Sequence, residues 1–477
     1  MKSVTCPVCG CLCDDLEVTI EDNKVIGVRN ACAVSEAKFL NYGKHRLYTP
    51  QVRKNGRLVS VSWDEALQKA AEILANASYP ILYGWSSTSC EANRVGLELA
   101  EEVGGVMDNT STVCHGPSIL SVQDVGLASC TLGQLRHRAD LVVYWACDPW
   151  SAHPRHIERY TSFSEGRFRP SIWLSYLKRV RAQQIRKRVR RALDFASKST
   201  QSMWLEAQTV SSMLTTETSR KMIVVDVRKT RTADAADLFL QIQPNTDYEI
   251  LQALRMLVKD EDMDLDTVAG VPVETLERVA DLMINCNLGV LFFGVGLTMS
   301  LGKLRNVDAA LNLVRDLNRR TKFLIMPMRG HYNVTGANVV STWQTGYPYA
   351  VDFSHGYPRY NPGETSVVDI LARRESDAAL VVASDPVSNF PSKAVQHLVS
   401  TPLIVIDPVE TPTSVVADVV LPSTFVGIET EGEAYRMDYV PITLKRVVEP
   451  PEGLLSDYEI ICEILNRVRR LKKMEKI

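Results

Sequence analysis

Asp140-Leu-Val-Val-Tyr-Trp-Ala-Cys-Asp148-Pro149 is a short apolar run closed by Asp-Pro, and the chain repeats it as Asp377-Ala-Ala-Leu-Val-Val-Ala-Ser-Asp385-Pro386. Each copy is followed by a second run that ends in aspartate and then threonines. These are Ile223-Val-Val-Asp226-Val-Arg228-Lys-Thr230-Arg-Thr232-Ala233 and Ile404-Val-Ile-Asp407-Pro-Val-Glu-Thr411-Pro-Thr413-Ser414. A third run begins with Ala-Asp in both, Ala236-Asp237-Leu-Phe-Leu and Ala417-Asp418-Val-Val-Leu. Short, continuously apolar, β-branched runs separated by helical stretches predict parallel strands buried on both faces. Ile81-Leu-Tyr-Gly84, Val290-Leu-Phe-Phe-Gly294 and Phe323-Leu-Ile-Met326 are of the same kind, so the fold class is α/β. Ligands of open α/β sheets bind beyond the carboxyl ends of the strands, where an Asp can accept from a base edge or a ribose hydroxyl. The paired copies therefore suggest two nucleotide sites related by a pseudo-twofold. Asp-Pro and Asp followed by Thr are also ordinary turn starters, and strand-end turn chemistry alone would give the same pattern.

Around this frame, 477 residues are too many for one ordinary domain, and two to four packed units are expected. A net charge of -2 with both signs interspersed argues against nucleic acid as the main partner. The sequence enters a cysteine cluster directly from Met1, which leaves no room for an apolar leader, and no apolar run reaches the ~18–20 residues of a membrane span. The expected location is the cytoplasm. Leu16-Glu-Val-Thr-Ile and Lys24-Val-Ile-Gly-Val read as a hairpin turned at Asp22-Asn23, part of a small β-rich cap over residues 1–60. Ser62-Trp-Asp-Glu65 is a capping box that opens a helix through about Ala75.

Cys6-Pro-Val-Cys9-Gly-Cys11-Leu-Cys13, answered by Cys32, carries the first chemistry. The short spacings of Cys6, Cys9 and Cys13 let one loop point three thiolates at a single centre, and Cys32 offers a fourth sulfur. Both an iron–sulfur cube and tetrahedral zinc need such a set. Eleven cysteines in a chain this long are too sparse for a secreted disulfide scaffold, so metal binding precedes disulfides as the reading. Cys11 is surplus to four ligands.

Thr112-Val113-Cys114-His115-Gly116-Pro117 follows the Asp108-Asn109 turn and places Cys114 on a loop, with Gly116-Pro117 expected to block continuation of helix or strand. A thiolate there can be a nucleophile, a metal ligand or a small buried hydrophobe. Arg329, in Met326-Pro-Met-Arg329-Gly330-His331-Tyr332-Asn333 at the end of a buried strand, would be a fixed bidentate donor for a small carboxylate or phosphate. Gly294-Val-Gly296 and Gly84-Trp-Ser86-Ser87 resemble phosphate loops, though such glycines equally serve tight turns. His137, His153 and His156 show no metal-ligand spacing with carboxylates and read as structural or surface residues.

The first copy of the repeat is the longer, and most of its excess runs from about Ser164 to Lys221. Within it, Lys178 to Arg191 holds eight basic residues in fourteen and no acid, with Ile185, Val189 and Ala192 on one helical face. This basic amphipathic insertion reads as a solvated arm, as a surface for docking an acidic partner subunit or, last, as a surface for RNA or a membrane.

Taken together, these motifs resemble the molybdopterin oxidoreductase superfamily that includes formate dehydrogenases and nitrate reductases, and within it the catalytic B subunits of formylmethanofuran dehydrogenase complexes. The resemblance covers nearly the whole chain outside the basic insertion. It is carried by Cys-Pro-Val-Cys-Gly-Cys-Leu-Cys-Asp-Asp, Thr-Val-Cys-His-Gly-Pro-Ser, His153-Pro-Arg-His-Ile, Asp-Val-Arg-Lys-Thr-Arg-Thr-Ala, Pro-Met-Arg-Gly-His-Tyr-Asn and Phe353-Ser-His-Gly-Tyr-Pro-Arg-Tyr-Asn-Pro-Gly-Glu364. It implies a formate dehydrogenase/DMSO reductase-like fold with one [4Fe–4S] cluster on Cys6, Cys9, Cys13 and Cys32. It implies two pyranopterin guanine dinucleotides chelating tungsten or molybdenum, with Cys114 as the protein ligand and His115 and Arg329 as the polar pair beside the metal. The nucleotide tails would lie along Gly84, Ser87, Asp148, Asp226, Arg228, Thr230, Gly294, Gly296, Asp385 and Asp407, and Lys38 or Lys44 would bridge cluster and pterin. The implied domains are a [4Fe–4S] domain over 1–60, an α/β domain of 61–137 plus 335–477 that binds one pterin dinucleotide and carries Cys114, and a second α/β domain over 138–334 with the insertion at about 164–221.

The implied reaction is reversible reduction of CO2 to formate, with formate passed to an amidohydrolase subunit for condensation with methanofuran and electrons supplied by polyferredoxin-type carriers. Larger formate dehydrogenases continue into a C-terminal barrel over the pterins. This chain stops soon after the helix Ser456 to Leu471, so that barrel is expected on a separate dinucleotide-binding subunit. A stand-alone formate dehydrogenase-type molybdoenzyme and a non-catalytic Fe–S electron-transfer scaffold of the same fold are the competing expectations.

Overall fold

The computed structural model describes residues 1–164, 169–170 and 219–474. The basic stretch Lys178 to Arg191 lies outside the described residues. Two compact units emerge, one of Met1–Ile119 with Arg329–Ile477 and the other of Leu120–Met328. The strands of three or more residues are, in chain order, β1 (Glu17–Glu21), β2 (Lys24–Arg29), β3 (Gln51–Lys54), β4 (Arg57–Ser60), β5 (Pro80–Gly84), β6 (Val106–Asn109), β7 (Leu141–Trp145) and β8 (Ser219–Asp226). They continue as β9 (Leu238–Gln241), β10 (Leu288–Phe293), β11 (Lys322–Pro327), β12 (Ala378–Val382), β13 (Leu403–Ile406), β14 (Val419–Leu421), β15 (Gly432–Tyr435) and β16 (Pro441–Leu444).

In the first unit, β6-β5-β12-β13-β14 run parallel in that order. The alternation of the apolar runs sends Leu82, Leu380, Val382, Ile404 and Ile406 to one face, under the helices Trp63–Asn76, Cys90–Val103 and Asp457–Met474. Ile81, Tyr83, Ala379, Val381, Leu403 and Val405 go to the other, with the helices Val367–Arg373 and Ser392–Leu398. Burial on both faces is what the continuous apolar runs predict.

The sheet is mixed rather than wholly parallel. The short strands Val351–Asp352 and Arg359–Tyr360 extend it antiparallel at one edge, and the hairpin β3–β4 at the other. The break expected at residue 60 therefore falls beside a hairpin already paired into the main sheet. Its partly or fully exposed charges (Arg53, Lys54, Arg57) suit an edge, where charge discourages further pairing. The N-terminal hairpin β1–β2 turns at Asp22 and Asn23, both left-handed at φ 47° and 59°, as its Asp-Asn pair predicts. Ser62 caps the next helix by accepting from Glu65 N at 3.2 Å.

In the second unit, β9-β8-β7-β10-β11 form an all-parallel sheet, with Arg169–Pro170 beside β8. Leu141, Val143, Trp145, Ile223, Val225, Leu291 and Phe293 pack under the helices Asp247–Val258, Val273–Ile284 and Leu304–Leu317. The strand order is that of the first unit's five parallel strands, position for position, and the repeat holds bond for bond. Asp148 accepts from Thr232 Oγ1 and Asp385 from Thr413 Oγ1. Each threonine oxygen in turn takes a backbone N–H, from Trp150 (3.2 Å) and Val387 (3.1 Å). Asp226 accepts from Arg228 N at 3.1 Å, and Asp407 from Val409 N at 2.9 Å. Thr230 and Thr411 cap short helices through Ala233 N and Ser414 N. Asp237 and Asp418 each accept from a backbone N–H of the neighbouring strand, Met222 N (2.8 Å) and Leu403 N (2.9 Å). So many matched contacts mark a true internal repeat. One consequence concerns chemistry, since Cys114 follows β6 and Arg329 follows β11, the corresponding strands of the two copies.

Candidate functional site

The first unit gathers the chemistry-bearing residues. Cys6 is buried, its Sγ lies 3.1 Å from Ser35 Oγ, and Cys13, Cys9 and Cys32 are all close enough to act on it electrostatically. Burial pushes the Cys6 thiol up, and the neighbouring sulfurs add to the shift while the Ser35 hydrogen bond opposes it. Cys32 is the N-cap of the helix Ala33–Asn41 and accepts from Ser35 N at 3.5 Å, so one serine touches two of the sulfurs. Cys6 therefore has three other sulfurs around it, and a cationic centre among them would relieve the cost of ionising its buried thiol. Among the described residues no three Cys, His, Asp or Glu side chains converge on one metal ion. Cys11, buried, is hydrogen-bonded to Cys9 and raises the count of sulfurs here to five.

Cys114 ends the 3-10 turn Thr110–Val113, and its N–H bonds back to Ser111 O at 3.0 Å. The turn is held from below. Asn109 accepts from Ser111 N (2.9 Å) and donates to Pro348 O (3.4 Å). Asp108 takes the N–H groups of Asn109 (2.8 Å), Ala350 (3.1 Å) and Val367 (2.9 Å), which ties three segments together under the cysteine. Burial pushes the Cys114 thiol up to about 11, against the lowering effects of the His115 amide and the Arg329 charge. Gly116-Pro117 does not end the element that follows. The helix Gly116–Val125 begins there, because a proline in the first helical turn removes only an N–H that has no partner anyway. His115 is buried, with Nδ1 3.1 Å from Ser118 Oγ.

Arg329 is 5% exposed. With the Asn338 amide oriented to satisfy its neighbours, Asn338 accepts from Arg329 Nη1 at 3.2 Å and donates to Pro348 O at 3.1 Å. Cys114 and Arg329 are thus brought together, a sulfur and a fixed positive charge in a water-poor place, with His115 next in the chain.

Asp407, one of the acids expected to hold a nucleotide, lines a cavity of about 330 Å³ with Pro7 and Val8 of the cysteine loop, Ser87, Lys38 and Asp457. Lys38 lies over the Phe425 ring at 4.5 Å, and burial lowers its pKa while Asp407 and Glu429 pull it up. Lys44 is exposed and lines no part of this cavity. Asp457, at the start of the last helix, accepts from Thr88 Oγ1 at 2.5 Å, and burial pushes its carboxyl up. Sequence reasoning passed over Asp457, because an acid in the first turn of a helix is ordinary capping chemistry.

Gly84 has φ +122°, and a Cβ there would lie 2.0 Å from Val382 O. Gly294 and Gly296 are pressed against Ala146, so the backbone crowding alone accounts for these glycines. In the second unit Asp148 has its oxygens on Thr232 and Ser151, and Asp226 is buried on Arg228 N, whereas the Arg228 side chain is exposed. Thr230 is buried. Asp385 repeats the Asp148 pattern, with Thr413 and Ser388.

Asp108 and Asp407 also fix a pH dependence. Burial pushes both carboxyls up from 3.8 to about 7. Between those values the folded protein keeps protons that the unfolded chain has released, so the stability these groups contribute is full below about pH 4 and is lost as pH rises through 7. Asp108→Asn has no proton to lose, and its thermal midpoint is expected to fall less steeply than the wild type's between pH 4 and 7. Parallel curves would contradict this.

The profile of the molybdopterin oxidoreductase family matches residues 46–180. Over 474 residues, covering 99% of both chains, the sequence is 45% identical to the B subunit of tungsten-containing formylmethanofuran dehydrogenase 2 from Methanocaldococcus jannaschii and 46% identical to that from Methanococcus maripaludis. The chain therefore belongs to the family of formylmethanofuran dehydrogenase B subunits, oxidoreductases of the molybdopterin class. It is 24% identical to the alpha subunit of F420-dependent formate dehydrogenase 1 of Methanococcus maripaludis, spanning 96% of this chain and 68% of that one. In fold it is similar to a chain of the formyltransferase/hydrolase complex FhcABCD of Methylorubrum extorquens, at a TM-score of 0.65 and 18% identity over 89% of this chain and 99% of that one. The acetylene hydratase of Pelobacter acetylenicus gives a TM-score of 0.64 at 14% identity, over 98% of this chain and 69% of that one. Among the described residues no helix is long and apolar enough to cross a membrane.

Proposed function

We propose that this chain is the catalytic subunit of a cytoplasmic formylmethanofuran dehydrogenase complex and that it reduces CO2 reversibly to formate. The observation that carries the reading is the half-buried Cys114 thiol beside the charge of the buried Arg329, on a turn anchored by Asp108 and Asn109. Cys6, Cys9, Cys13 and Cys32 would hold a [4Fe–4S] cluster, and the closeness of the other three sulfurs to the buried Cys6 thiol supports that donor set. Cys114 would ligate tungsten or molybdenum. When bound, the metal and its two pyranopterin guanine dinucleotides supply the two-electron chemistry, fed through the cluster.

This chain's own residues do the rest. Arg329 offers preorganised positive charge to the oxygens of a bending CO2, where low water content makes it count most. His115, with Nδ1 engaged by Ser118, would carry the transferable proton. The cavity formed by Pro7, Val8, Lys38, Ser87, Asp407 and Asp457 is the candidate seat of one pterin arm beside the cluster, with Lys38 as the bridge. The nucleotide tails would run past Gly84, Asp385 and Asp407 in one unit and past Asp148, Asp226, Arg228, Thr230, Gly294 and Gly296 in the other. Formate would pass to an amidohydrolase partner for condensation with methanofuran, a dinucleotide-binding barrel subunit would cover the pterins, and polyferredoxin-type carriers would deliver electrons.

The test is elemental and guanine analysis of the purified complex, paired with CO2–formate turnover. Stoichiometric tungsten or molybdenum with guanine nucleotides and turnover supports the reading. A complex that holds iron and sulfide but no heavy metal or guanine reduces the chain to an electron-transfer scaffold.

A further inference from the structure

The backbone around Arg329 is clamped to the cysteine loop. Gly10 N donates to Gly330 O at 3.1 Å, Cys9 bridges to His331, and a Cβ on Gly10 would lie 2.4 Å from Arg329 O. With the backbone fixed, the guanidinium's aim is decided at its far end. There Arg329 Nη2 donates to Tyr439 Oη at 3.2 Å, and the guanidinium carbon lies 5.4 Å from the centre of the Tyr439 ring.

Tyr439 sits in an unusual backbone state for an aromatic residue, φ +63°, which Gly or Asn would adopt more readily. The turn around it is built to hold that state. Tyr439 N donates to Arg436 O and Arg436 N to Val440 O, both at 2.9 Å. Arg436 also forks onto Asp438 through two short bonds, 2.6 and 2.7 Å, in a buried pair. Met437 N donates to Gly10 O at 2.9 Å, so the turn and the Arg329 backbone hang from the same glycine. A bulky residue kept in a disfavoured conformation by its surroundings is a pointer to function.

We propose that Tyr439 is a positioning residue for Arg329, and that its hydroxyl and ring set the face on which a small oxyanion binds beside Cys114. The inference rests on the formate reading above and adds the residue that orients the charge. A hydroxyl contact and a cation–π contact both hold the guanidinium, while Asn338 accepts from its other terminal nitrogen.

The experiment uses the intact complex carrying Tyr439→Phe, which keeps the ring, and Tyr439→Asn, which removes it and suits the left-handed backbone. Tyr248→Phe in the other unit is the control. Formate KM and kcat are measured, together with the dissociation constant of azide by calorimetry, since azide is a linear triatomic anion isoelectronic with CO2. Tyr439→Phe is expected to weaken azide binding and raise the KM for formate about 3- to 10-fold, and Tyr439→Asn about 10- to 50-fold, each with a smaller fall in kcat. Metal and iron content should stay at the wild-type level. Wild-type azide affinity and KM in both variants overturn the proposal. A wild-type complex that neither binds nor turns over formate overturns the functional reading, and this inference with it.

Discussion

Arg329→Ala is expected to lower CO2–formate turnover by about 10²–10³-fold, the usual consequence of removing a preorganised charge donor from a dry site. The side chain is buried, tied to Asn338 and Tyr439, and close enough to Cys114 to act on its thiol. In CO2 reduction its effect should fall on kcat more than on KM, because the charge that builds on bending CO2 exceeds that on the linear substrate; with formate, already an anion when it binds, KM should rise as well. Lysine at this position restores charge without the planar fork, so Arg329→Lys is expected to recover only part of the loss. Turnover of Arg329→Ala near the wild-type rate would remove the residue from the mechanism.

Cys114→Ala should be more severe and take turnover to background. The turn that carries the sulfur is held by Asp108, Asn109 and Ser111 rather than by the thiol itself, so the variant is expected to fold and to keep its iron. Thermal midpoint and iron content separate that outcome from simple unfolding. A folded, iron-replete Cys114→Ala enzyme with wild-type activity would show the sulfur to be packing only.

Much of the fold was legible because buried parallel strands leave an unambiguous trace. Runs such as Leu380-Val-Val-Ala383 have no polar face to confuse them, and their Asp-Pro ends recur with matching partners. The edges were not legible. Gln51–Lys54 and Arg57–Ser60 are polar enough to pass for part of a separate cap, and only pairing with Val419–Leu421 places them in the main sheet. In the site, Cys114 and Arg329 stood out by residue type at strand ends. Lys38, on the helix Ala33–Asn41, lines the cavity whereas Lys44 lies beyond the end of that helix, and spacing alone does not decide between them. Tyr439 left no signal either, since neither its positive φ nor its contact with a residue 110 positions away follows from local sequence. Gly116-Pro117 misled for a definite reason, because the same dipeptide that ends one helix can begin another.

The account rests on the sulfur of Cys114 touching a heavy metal, and X-ray absorption at the tungsten or molybdenum edge reads that contact directly. Comparing the purified wild-type complex with Cys114→Ser, the prediction is one sulfur neighbour fewer at the metal in the variant, with guanine and iron content unchanged. The same sulfur coordination in both proteins would contradict it.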